Sequence, residues 1–281
     1  MGEYAKDVLV STDWVAEHLD DDAIRIVEVD ENPALYREAH IPGAIGFDWQ
    51  ADLQHDVRRT FLDADAFAEL MGSVGISNDH TVVLYGDRNN WFAAYTYWYF
   101  KYYGHDKVKL VNGPREKWIS EDRPTETGEP SYEPQTFEVT EVRDELRAKR
   151  DRVLEELEGP TRLVDVRSPA EFSGETLAPA GYEGESAMVP GHIPGAASVP
   201  WSQAVAEDGT FKPADELREL YEGKDVLADE PIIAYCRIGE RSAHTWFVLH
   251  ELLGHDDVRN YDGSWTEWGS LVDVPVEQGA G

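Results

Sequence analysis

The chain has one cysteine, Cys236, and the residues around it are typical of a reactive thiol. It follows an apolar run at residues 232–235 and precedes a short segment that ends where Ser242 begins a helical pattern. A loop between a buried strand and a helix directs several backbone N–H groups into one concavity, where the helix dipole also favours negative charge. Thiols in such a cradle have pKa values of about 3.5–7.5, against about 8.5 for a free cysteine. We therefore predict that Cys236 is a nucleophile with a depressed thiol pKa.

The segment after Cys236 suits the binding of an anion. Arg237 and Arg241 bring positive charge and can grip the oxygens of an anionic substrate. Gly239 lets the backbone turn tightly with no Cβ in the cradle. A lone cysteine is more often a small buried hydrophobe, but these neighbours favour catalysis. The predicted substrate-binding loop consists of Arg237, Ile238, Gly239, Glu240, Arg241 and Ser242.

The chain contains the same pattern twice. The sequence His-Ile-Pro-Gly-Ala occurs at residues 40–44 and again at 192–196, and Gly-His-Asp occurs at 104–106 and at 254–256. Further matched positions are Tyr85 with Tyr235, Gly113 with Gly263, and Trp118 with Trp268. Landmarks that recur in the same order at nearly constant spacing indicate a duplicated domain.

The two copies differ at the cysteine. Gly86 stands in the first copy where Cys236 stands in the second, so only the second copy has a nucleophile. Both copies keep the His-Ile-Pro-Gly-Ala sequence, although one lacks the thiol. We therefore expect His40 and His192 to serve packing and turn geometry, and we expect Trp118 and Trp268 to be core residues.

Alternating strands and helices predict an α/β fold with two tandem domains, each a mainly parallel central sheet flanked by helices. Predicted strands cover residues 24–29, 82–85, 163–166 and 232–235, and predicted helices cover 91–103 and 242–253. Ser11 is expected to cap one further helix, and Thr140 another over residues 142–157. Three prolines and Gly128 mark residues 124–135 as a linker, which leaves an inactive domain at 1–123 and a catalytic domain at 136–281. The second copy also has an inserted loop that contains Gly174, Gly181, Tyr182 and Gly184.

The composition restricts the class of function. With 56 acidic and 25 basic side chains, the formal net charge is −31, which argues against nucleic-acid binding. Acids dispersed along the chain favour a halophilic protein over one with a docking surface for a basic partner. No apolar run reaches the roughly 20 residues that span a bilayer, and the N-terminus has no signal pattern, so we expect a cytoplasmic protein without membrane contact. No spacing suggests a metal site or a nucleotide motif, and we expect no cofactor.

Four segments of the second copy resemble the rhodanese family. They are Leu-Val-Asp-Val-Arg at 163–167, Glu-Phe at 171–172, His-Ile-Pro-Gly-Ala at 192–196, and Tyr-Cys-Arg-Ile-Gly-Glu-Arg-Ser at 235–242. An inactive first copy before an active second copy resembles the thiosulfate sulfurtransferases. The resemblance implies that Cys236 takes the outer sulfur of thiosulfate as a persulfide and passes it to cyanide or a thiol. It also implies that Arg167 and Arg237 bind substrate, while Ile238 departs from relatives that have Lys there.

The sequence leaves three alternatives open. A 3-mercaptopyruvate sulfurtransferase would use the same thiol, but its relatives carry a small, neutral loop that Arg237 and Glu240 do not match. A phosphatase or arsenate reductase also holds a thiolate in an anion cradle, but the spacing from Cys236 to Arg241 is one residue shorter than in protein tyrosine phosphatases. A persulfide carrier or docking module would hand its sulfur to a protein acceptor, with the first domain as the place of recognition.

Overall fold

The computed structural model describes residues 3–179, 181–182, 186–227 and 229–279. These residues form two five-stranded sheets in which every pair of neighbouring strands is parallel. The strands of one sheet are β1 (Leu9–Val10), β2 (Ile24–Asp30), β3 (Ile45–Asp48), β4 (Thr81–Tyr85) and β5 (Val108–Val111). Those of the other are β6 (Arg147–Ala148), β7 (Arg162–Asp165), β8 (Ala197–Ser198), β9 (Ile232–Tyr235) and β10 (Val258–Tyr261).

Both sheets have the same topology. The strand orders are β1-β5-β4-β2-β3 and β6-β10-β9-β7-β8, so β4 and β9 are the central strands. Both central strands are almost entirely buried, as expected when helices cover the two faces of a parallel sheet. The predicted α/β fold with two similar domains is confirmed.

Ten α-helices connect the strands in the described residues. Those of the first half are α1 (Thr12–Glu17), α2 (Ala34–Glu38), α3 (Ala64–Ser73), α4 (Asp87–Tyr102) and α5 (Arg115–Ser120). Those of the second half are α6 (Arg150–Glu156), α7 (Pro169–Ser173), α8 (Ala214–Glu222), α9 (Glu240–Trp246) and α10 (Ser264–Trp268). A π-helical segment, Phe247–Leu252, continues α9, and 3-10 turns lie at Asp144–Leu146 and Trp201–Ala204. None of the helices in the described ranges is long and apolar enough to cross a bilayer.

The described chain divides into two compact units. The first unit comprises Val8–Arg143 and Val205–Phe211, and the second unit comprises the other described residues. Residues 124–135, predicted as a linker, are part of the first unit. Glu126 pairs with His40 through two backbone hydrogen bonds of 2.9 Å, and Tyr132 Oη donates to the carbonyl oxygen of Gly43. The domain boundaries at 123 and 136 stay a prediction. The inserted loop lies in the second unit, where Gly184 falls outside the described residues.

The helix predicted over residues 142–157 is wrong. Residues 144–146 form a 3-10 turn, residues 147–148 form β6, and α6 begins only at Arg150 with Lys149 as its N-cap. The strand forms because Arg147 and Ala148 pair with Asn260 and Tyr261 of β10, which buries Ala148 completely. A pairing between distant segments overrides the local helical pattern here. By contrast, Ser11 caps α1 as predicted, since its side chain accepts a hydrogen bond from the Trp14 backbone N–H.

Candidate active site

Cys236 lies immediately after β9, where the central strand of the second sheet turns toward α9. Its side chain is fully buried. Its backbone N–H donates to Ser264 Oγ at 3.0 Å, and its carbonyl oxygen accepts from the backbone N–H of Trp265 at 3.0 Å. The start of α10 therefore fixes the backbone on both sides of the cysteine, and the direction of its side chain is set before any substrate arrives.

Gly239 and Glu240 both contact the sulfur atom. The Gly239 backbone N–H donates to Cys236 Sγ at 3.2 Å, and the thiol donates to Glu240 Oε2 at 3.3 Å. The same carboxylate oxygen accepts from the backbone N–H of Ile238 at 3.2 Å. The loop thus forms the predicted cradle, but only one of these two amides serves the sulfur, while the other holds the carboxylate beside it.

Gly239 occupies the sharpest bend of the loop. Its φ of 101° lies in the left-handed region, and a Cβ there would lie 2.5 Å from Asp262 Cα. Its carbonyl oxygen accepts from Asn260 Nδ2 at 2.9 Å, and Ser242 Oγ donates to Asn260 Oδ1 at 2.6 Å. Glycine is therefore required at this position for two independent reasons, its conformation and the close approach of the β10–α10 connection.

Arg241 is held in a buried ion pair. Its Nη1 and Nη2 atoms donate to the two carboxylate oxygens of Glu171 at 3.0 Å each, a bidentate geometry that fixes the guanidinium plane. Glu171 in turn forms a capping box with Ser168 at the start of α7. Burial raises the pKa of Glu171, but the hydrogen bonds and charge of Arg241 outweigh burial, and the net pKa is lowered. Arg241 therefore contributes a fixed positive charge near the sulfur, and its two terminal nitrogens are already engaged.

Arg237 is also buried, at 2% exposure. Its Nη2 lies 3.7 Å from Glu240 Oε1, and its Cζ lies 4.4 Å from the centroid of the Tyr182 ring. A guanidinium over an aromatic face gains electrostatic stabilisation from the ring. Because Tyr182 belongs to the inserted loop, this insertion is what covers the cation that follows the cysteine.

Arg167 lies two residues after the end of β7. Its guanidinium binds Asp165 through Nε and Nη2, donates to the Gly191 carbonyl oxygen at 2.7 Å, and lies 4.7 Å from the Trp265 ring centroid. These are the contacts of a cation that joins parts of the fold. Its predicted role in binding substrate stays a prediction.

The expectation of a depressed thiol pKa differs from what the structure gives. Burial raises the pKa of Cys236, and the nearby charge of Glu240 raises it further, while Arg241 and the hydrogen bonds of Ser242 act in the opposite direction. The amides and the arginines favour the thiolate, but the carboxylate of Glu240 and the removal of water from the buried thiol oppose it. In this arrangement the thiol donates a hydrogen bond to Glu240 Oε2.

Several supporting residues were not singled out as site residues from the sequence. Ser264 and Asn260 hold the loop backbone, Glu171 holds Arg241, and Tyr182 covers Arg237. Only Glu171 had a usable signal, because it belongs to one of the segments that carry the family resemblance.

The two His-Ile-Pro-Gly-Ala sequences have a structural role, as expected. His192 stacks on Phe172, its Nδ1 lies 2.8 Å from the Phe172 carbonyl oxygen, and its backbone pairs with Glu277. His40 makes the same three kinds of contact with Tyr36 and Glu126. Neither histidine is hydrogen-bonded to the cysteine loop in the described contacts.

Comparisons with known proteins agree with this arrangement. A family model described as a rhodanese-like domain matches residues 11–121 and again residues 149–271. The chain is 56% identical over 282 residues to a Haloferax volcanii protein named "Putative thiosulfate sulfurtransferase", with 99% of this chain and 98% of that protein aligned. It is 55% identical over 283 residues to sulfur carrier protein TtuD of Thermus thermophilus, with 99% of each chain aligned.

Solved structures show the same fold. Tum1 of Saccharomyces cerevisiae superposes with a TM-score of 0.77 at 23% identity, covering 93% of this chain and 94% of that one. Wild-type EanB superposes with a TM-score of 0.83 at 24% identity, covering 96% of this chain and 69% of that one. The chain belongs to the rhodanese-like family and contains the family's domain twice, which confirms the resemblance seen in the sequence.

Proposed function

We propose that this protein is a sulfurtransferase that takes sulfane sulfur from thiosulfate and carries it on Cys236 as a persulfide. The observation that carries the proposal is the contact of Cys236 Sγ with the Gly239 N–H, in a loop whose two arginines are both buried. An amide donor at 3.2 Å stabilises charge on a sulfur atom, and buried guanidinium groups attract an anionic donor. The names of the Haloferax and Thermus relatives support sulfur transfer as the class of reaction.

The reaction proceeds by covalent catalysis in two halves. The thiolate of Cys236 attacks the outer sulfur of thiosulfate, a new S–S bond forms, and the bond to the sulfonate sulfur breaks so that sulfite leaves with its electron pair. The protein then holds a persulfide anion. Cyanide or another thiophilic acceptor attacks the outer sulfur, takes it away, and restores the thiolate. Charge is conserved in each half, and no external oxidant or reductant is required.

Gly239, Arg237 and Arg241 have different roles in binding the donor. The Gly239 N–H stabilises the sulfur anion before and after transfer. Arg237 follows the cysteine directly, and its guanidinium is the group that we assign to the sulfonate oxygens. Arg241 is fixed by Glu171 and acts through its charge. Because Cys236 has no exposed surface, the side chains that cover it must move before a donor reaches the sulfur.

Intact mass spectrometry tests the covalent step. After incubation with thiosulfate and removal of excess donor, the wild-type chain should gain one sulfur atom, and Cys236→Ala should gain none. Since Cys236 is the only cysteine, the added mass has one possible thiol acceptor. Parallel turnover with thiosulfate and with 3-mercaptopyruvate identifies the preferred donor. Failure of the wild-type protein to gain sulfur from either donor would contradict the proposal.

A second candidate is a sulfur carrier that delivers to a protein. The 55% identity to sulfur carrier protein TtuD favours it specifically. Loading Cys236 with radiolabelled sulfur and adding a cell extract separates the two: a carrier should label a protein band under non-reducing conditions, and Cys236→Ala should label none. If the label is released only as small molecules, the protein is an enzyme that transfers sulfur to a small-molecule acceptor and is not a carrier that delivers to a protein.

A further inference from the structure

Sulfur transfer by Cys236 requires a thiolate, yet the structure buries the thiol completely and places it as a hydrogen-bond donor to Glu240. The side chain is fully buried, and burial together with Glu240 raises the pKa of the thiol. A proton released to bulk solvent would leave an extra negative charge in a site that must also receive a dianion. The proton therefore needs an acceptor inside the site.

We propose that Glu240 is this acceptor: its carboxylate takes the proton directly from Cys236 when the donor binds, keeps it through the persulfide stage, and returns it after the sulfur has left. The proposal rests on the sulfurtransferase function proposed above and adds a catalytic residue to it. Glu240 Oε2 lies 3.3 Å from Sγ, so the transfer needs no intervening group and no movement of the backbone.

Glu240 is placed as a proton acceptor should be. It is fully buried, and its Oε2 is oriented toward the sulfur by the Ile238 N–H at 3.2 Å. Its other oxygen, Oε1, lies 3.7 Å from Arg237 Nη2 and 3.9 Å from Arg241 Nε. Oε2 therefore faces the thiol and Oε1 faces the two arginines. Oε2 can accept the proton of the thiol while Oε1 stays near the two guanidinium groups.

The other carboxylates around this strand end are bound more closely. Glu171 contacts Arg241 at 3.0 Å, Asp165 contacts Arg167 at 2.6 Å, and Asp262 contacts Arg147 at 2.7 Å. Each of these three carboxylates binds its arginine through two close contacts, so its oxygens are occupied by the guanidinium. The guanidinium contacts of Glu240 are longer, so Glu240 is the carboxylate in this group that combines contact with the thiol and a loosely held charge.

The remaining titratable neighbours do not supply an alternative acceptor at neutral pH. His244, further along α9, is fully buried, and its pKa is lowered to about 3 by that burial. Tyr235, at the end of β9, is fully buried, and its pKa is raised well above its ordinary value by burial and by Asp165. His244 and Tyr235 are therefore both neutral around neutral pH, and neither changes its charge there. The proton balance near Cys236 is therefore set by the Cys236–Glu240 pair.

The proposed steps conserve protons, charge and electrons. The S–H bond of Cys236 breaks, the proton moves to Glu240 Oε2, and the electron pair stays on sulfur for the attack on thiosulfate. After sulfite leaves, a persulfide anion lies beside a neutral carboxylic acid. When the acceptor removes the outer sulfur, the thiolate recovers its proton from Glu240. The pair carries one negative charge throughout, so the charge presented to Arg237 and Arg241 is constant.

Binding of the donor drives the transfer. A dianion that draws Arg237 toward itself removes a cation from Glu240 Oε1 and adds negative charge nearby. Both changes increase the affinity of the carboxylate for a proton. Donor binding therefore increases the fraction of molecules in which the proton lies on Glu240 and the thiol is ionised.

The pH dependence of alkylation tests the pair without any sulfur donor. If thiol and carboxylate share one proton, the rate of reaction with iodoacetamide should show a plateau around neutral pH, bounded by two titration steps. In Glu240→Gln the plateau should be replaced by one step that rises about tenfold per pH unit below the thiol pKa. Glu216→Gln, an exposed carboxyl on α8, should keep the wild-type profile. A wild-type profile with a single step would overturn the proposal.

Infrared difference spectroscopy locates the proton after sulfur transfer. Persulfidated minus free wild-type protein should show a new C=O stretching band of a protonated carboxyl group, shifted in Glu240→Asp and missing in Glu240→Gln. A persulfide seen by mass spectrometry without this band would refute the role of Glu240 and leave the sulfurtransferase standing. If no persulfide forms, the sulfurtransferase function fails, while the alkylation profile still decides whether Glu240 and Cys236 share a proton.

Discussion

The segments that follow the two central strands, β4 and β9, carry different side chains although the two sheets have the same topology. Where the second unit has Cys236 and Glu240, the first unit has Gly86 and Asn90. Asn90 fills the first cradle itself, since its Oδ1 accepts from the Gly86 N–H at 2.9 Å and its Nδ2 donates to the Val111 carbonyl oxygen at 2.7 Å. Asn90 therefore closes the turn after β4 with its own side chain, at the position where the second unit has the carboxylate of Glu240.

The charges are inverted as well. Asp30 and Asp87 stand in the first unit where Arg167 and Arg237 stand in the second. Burial, followed by the charge of Glu28, raises the pKa of Asp30 to about 9, and burial raises that of Asp87 to about 7. The cation near these acids comes from a different element than in the second unit: Arg115 of α5 pairs with Glu28 at 3.2 Å. The first unit has therefore lost both a nucleophile and the electrostatic means to bind an anion, whereas its sheet and its histidine contacts are retained.

The largest expected effect comes from moving the cysteine between the units. Gly86→Cys in a Cys236→Ala background should gain no sulfur from thiosulfate, with turnover on the order of 10⁴-fold or more below wild type. A Cβ at Gly86 would lie 2.1 Å from the Val29 carbonyl oxygen, so the substitution should also destabilise the first unit by about 1–3 kcal/mol or more. Intact mass and denaturation measure the two effects. Gly128→Ala, which meets nothing within 4 Å, is the matched control for stability. Sulfur uptake by the double variant would mean that the first unit lacks only a thiol.

The second largest effect should follow from breaking the buried ion pair that the first unit does not have. Arg241→Ala leaves Glu171 buried without its partner, and such changes lower the free energy of unfolding by about 3–5 kcal/mol. Arg218→Ala removes an exposed arginine of α8 and should change it by less than about 0.5 kcal/mol. Chemical denaturation compares the two variants. A loss below about 1 kcal/mol for Arg241→Ala, within the range of a surface pair, would show that the pair is not what holds α7 against the loop.

A smaller effect is expected from alanine substitution at two glycines, which separates the cost of backbone conformation from the cost of crowding in the cradle. Gly239 and Gly195 both have positive φ, 101° and 75°, but only Gly239 is crowded, by Asp262. Both alanine variants should lose about 1 kcal/mol through strain, and Gly239→Ala should lose a further 1–2 kcal/mol, roughly, through overlap. Because the Gly239 N–H would then be displaced from Sγ, the rate of persulfide formation should fall about 10²-fold in that variant alone. Equal rates in the two variants would contradict the role of this amide.

The sequence could predict the features that depend on local pattern. The buried strands were visible as apolar runs, and the position of Cys236 followed from a strand, a glycine and a helix in succession. Because the domain is duplicated, the central strand and the helix after it were visible in both copies. Strand β6 could not be predicted in this way, because Ala148 is buried only by pairing with Tyr261, far along the chain.

The electrostatics of the site could not be read from spacing either. Glu240 is four positions from Cys236, and nothing in the sequence shows that its carboxylate turns back to the sulfur instead of toward solvent. Likewise, nothing in the sequence shows that Asp165, two residues earlier, binds Arg167 in the buried strand end. The sign of a pKa shift depends on such side-chain directions and on burial, both of which are properties of the folded chain.

The last prediction concerns the acids that stand in the first unit at the positions of Arg167 and Arg237. The raised pKa of Asp30, about 9, means that between its unfolded pKa and that value the folded chain binds a proton that the unfolded chain does not. Stability contributed by this group is therefore lost as the pH rises. Asp30→Asn removes the titration, so its melting temperature relative to wild type should rise between about pH 5 and about pH 8, by roughly 2–4 °C for each 1 kcal/mol. Asp56→Asn, an exposed loop acid of the same unit, should show no such trend. If Asp30→Asn and wild type lose stability in parallel over this range, Asp30 is ionised in the folded protein, and the first unit keeps a buried negative charge at the position where the second unit keeps Arg167.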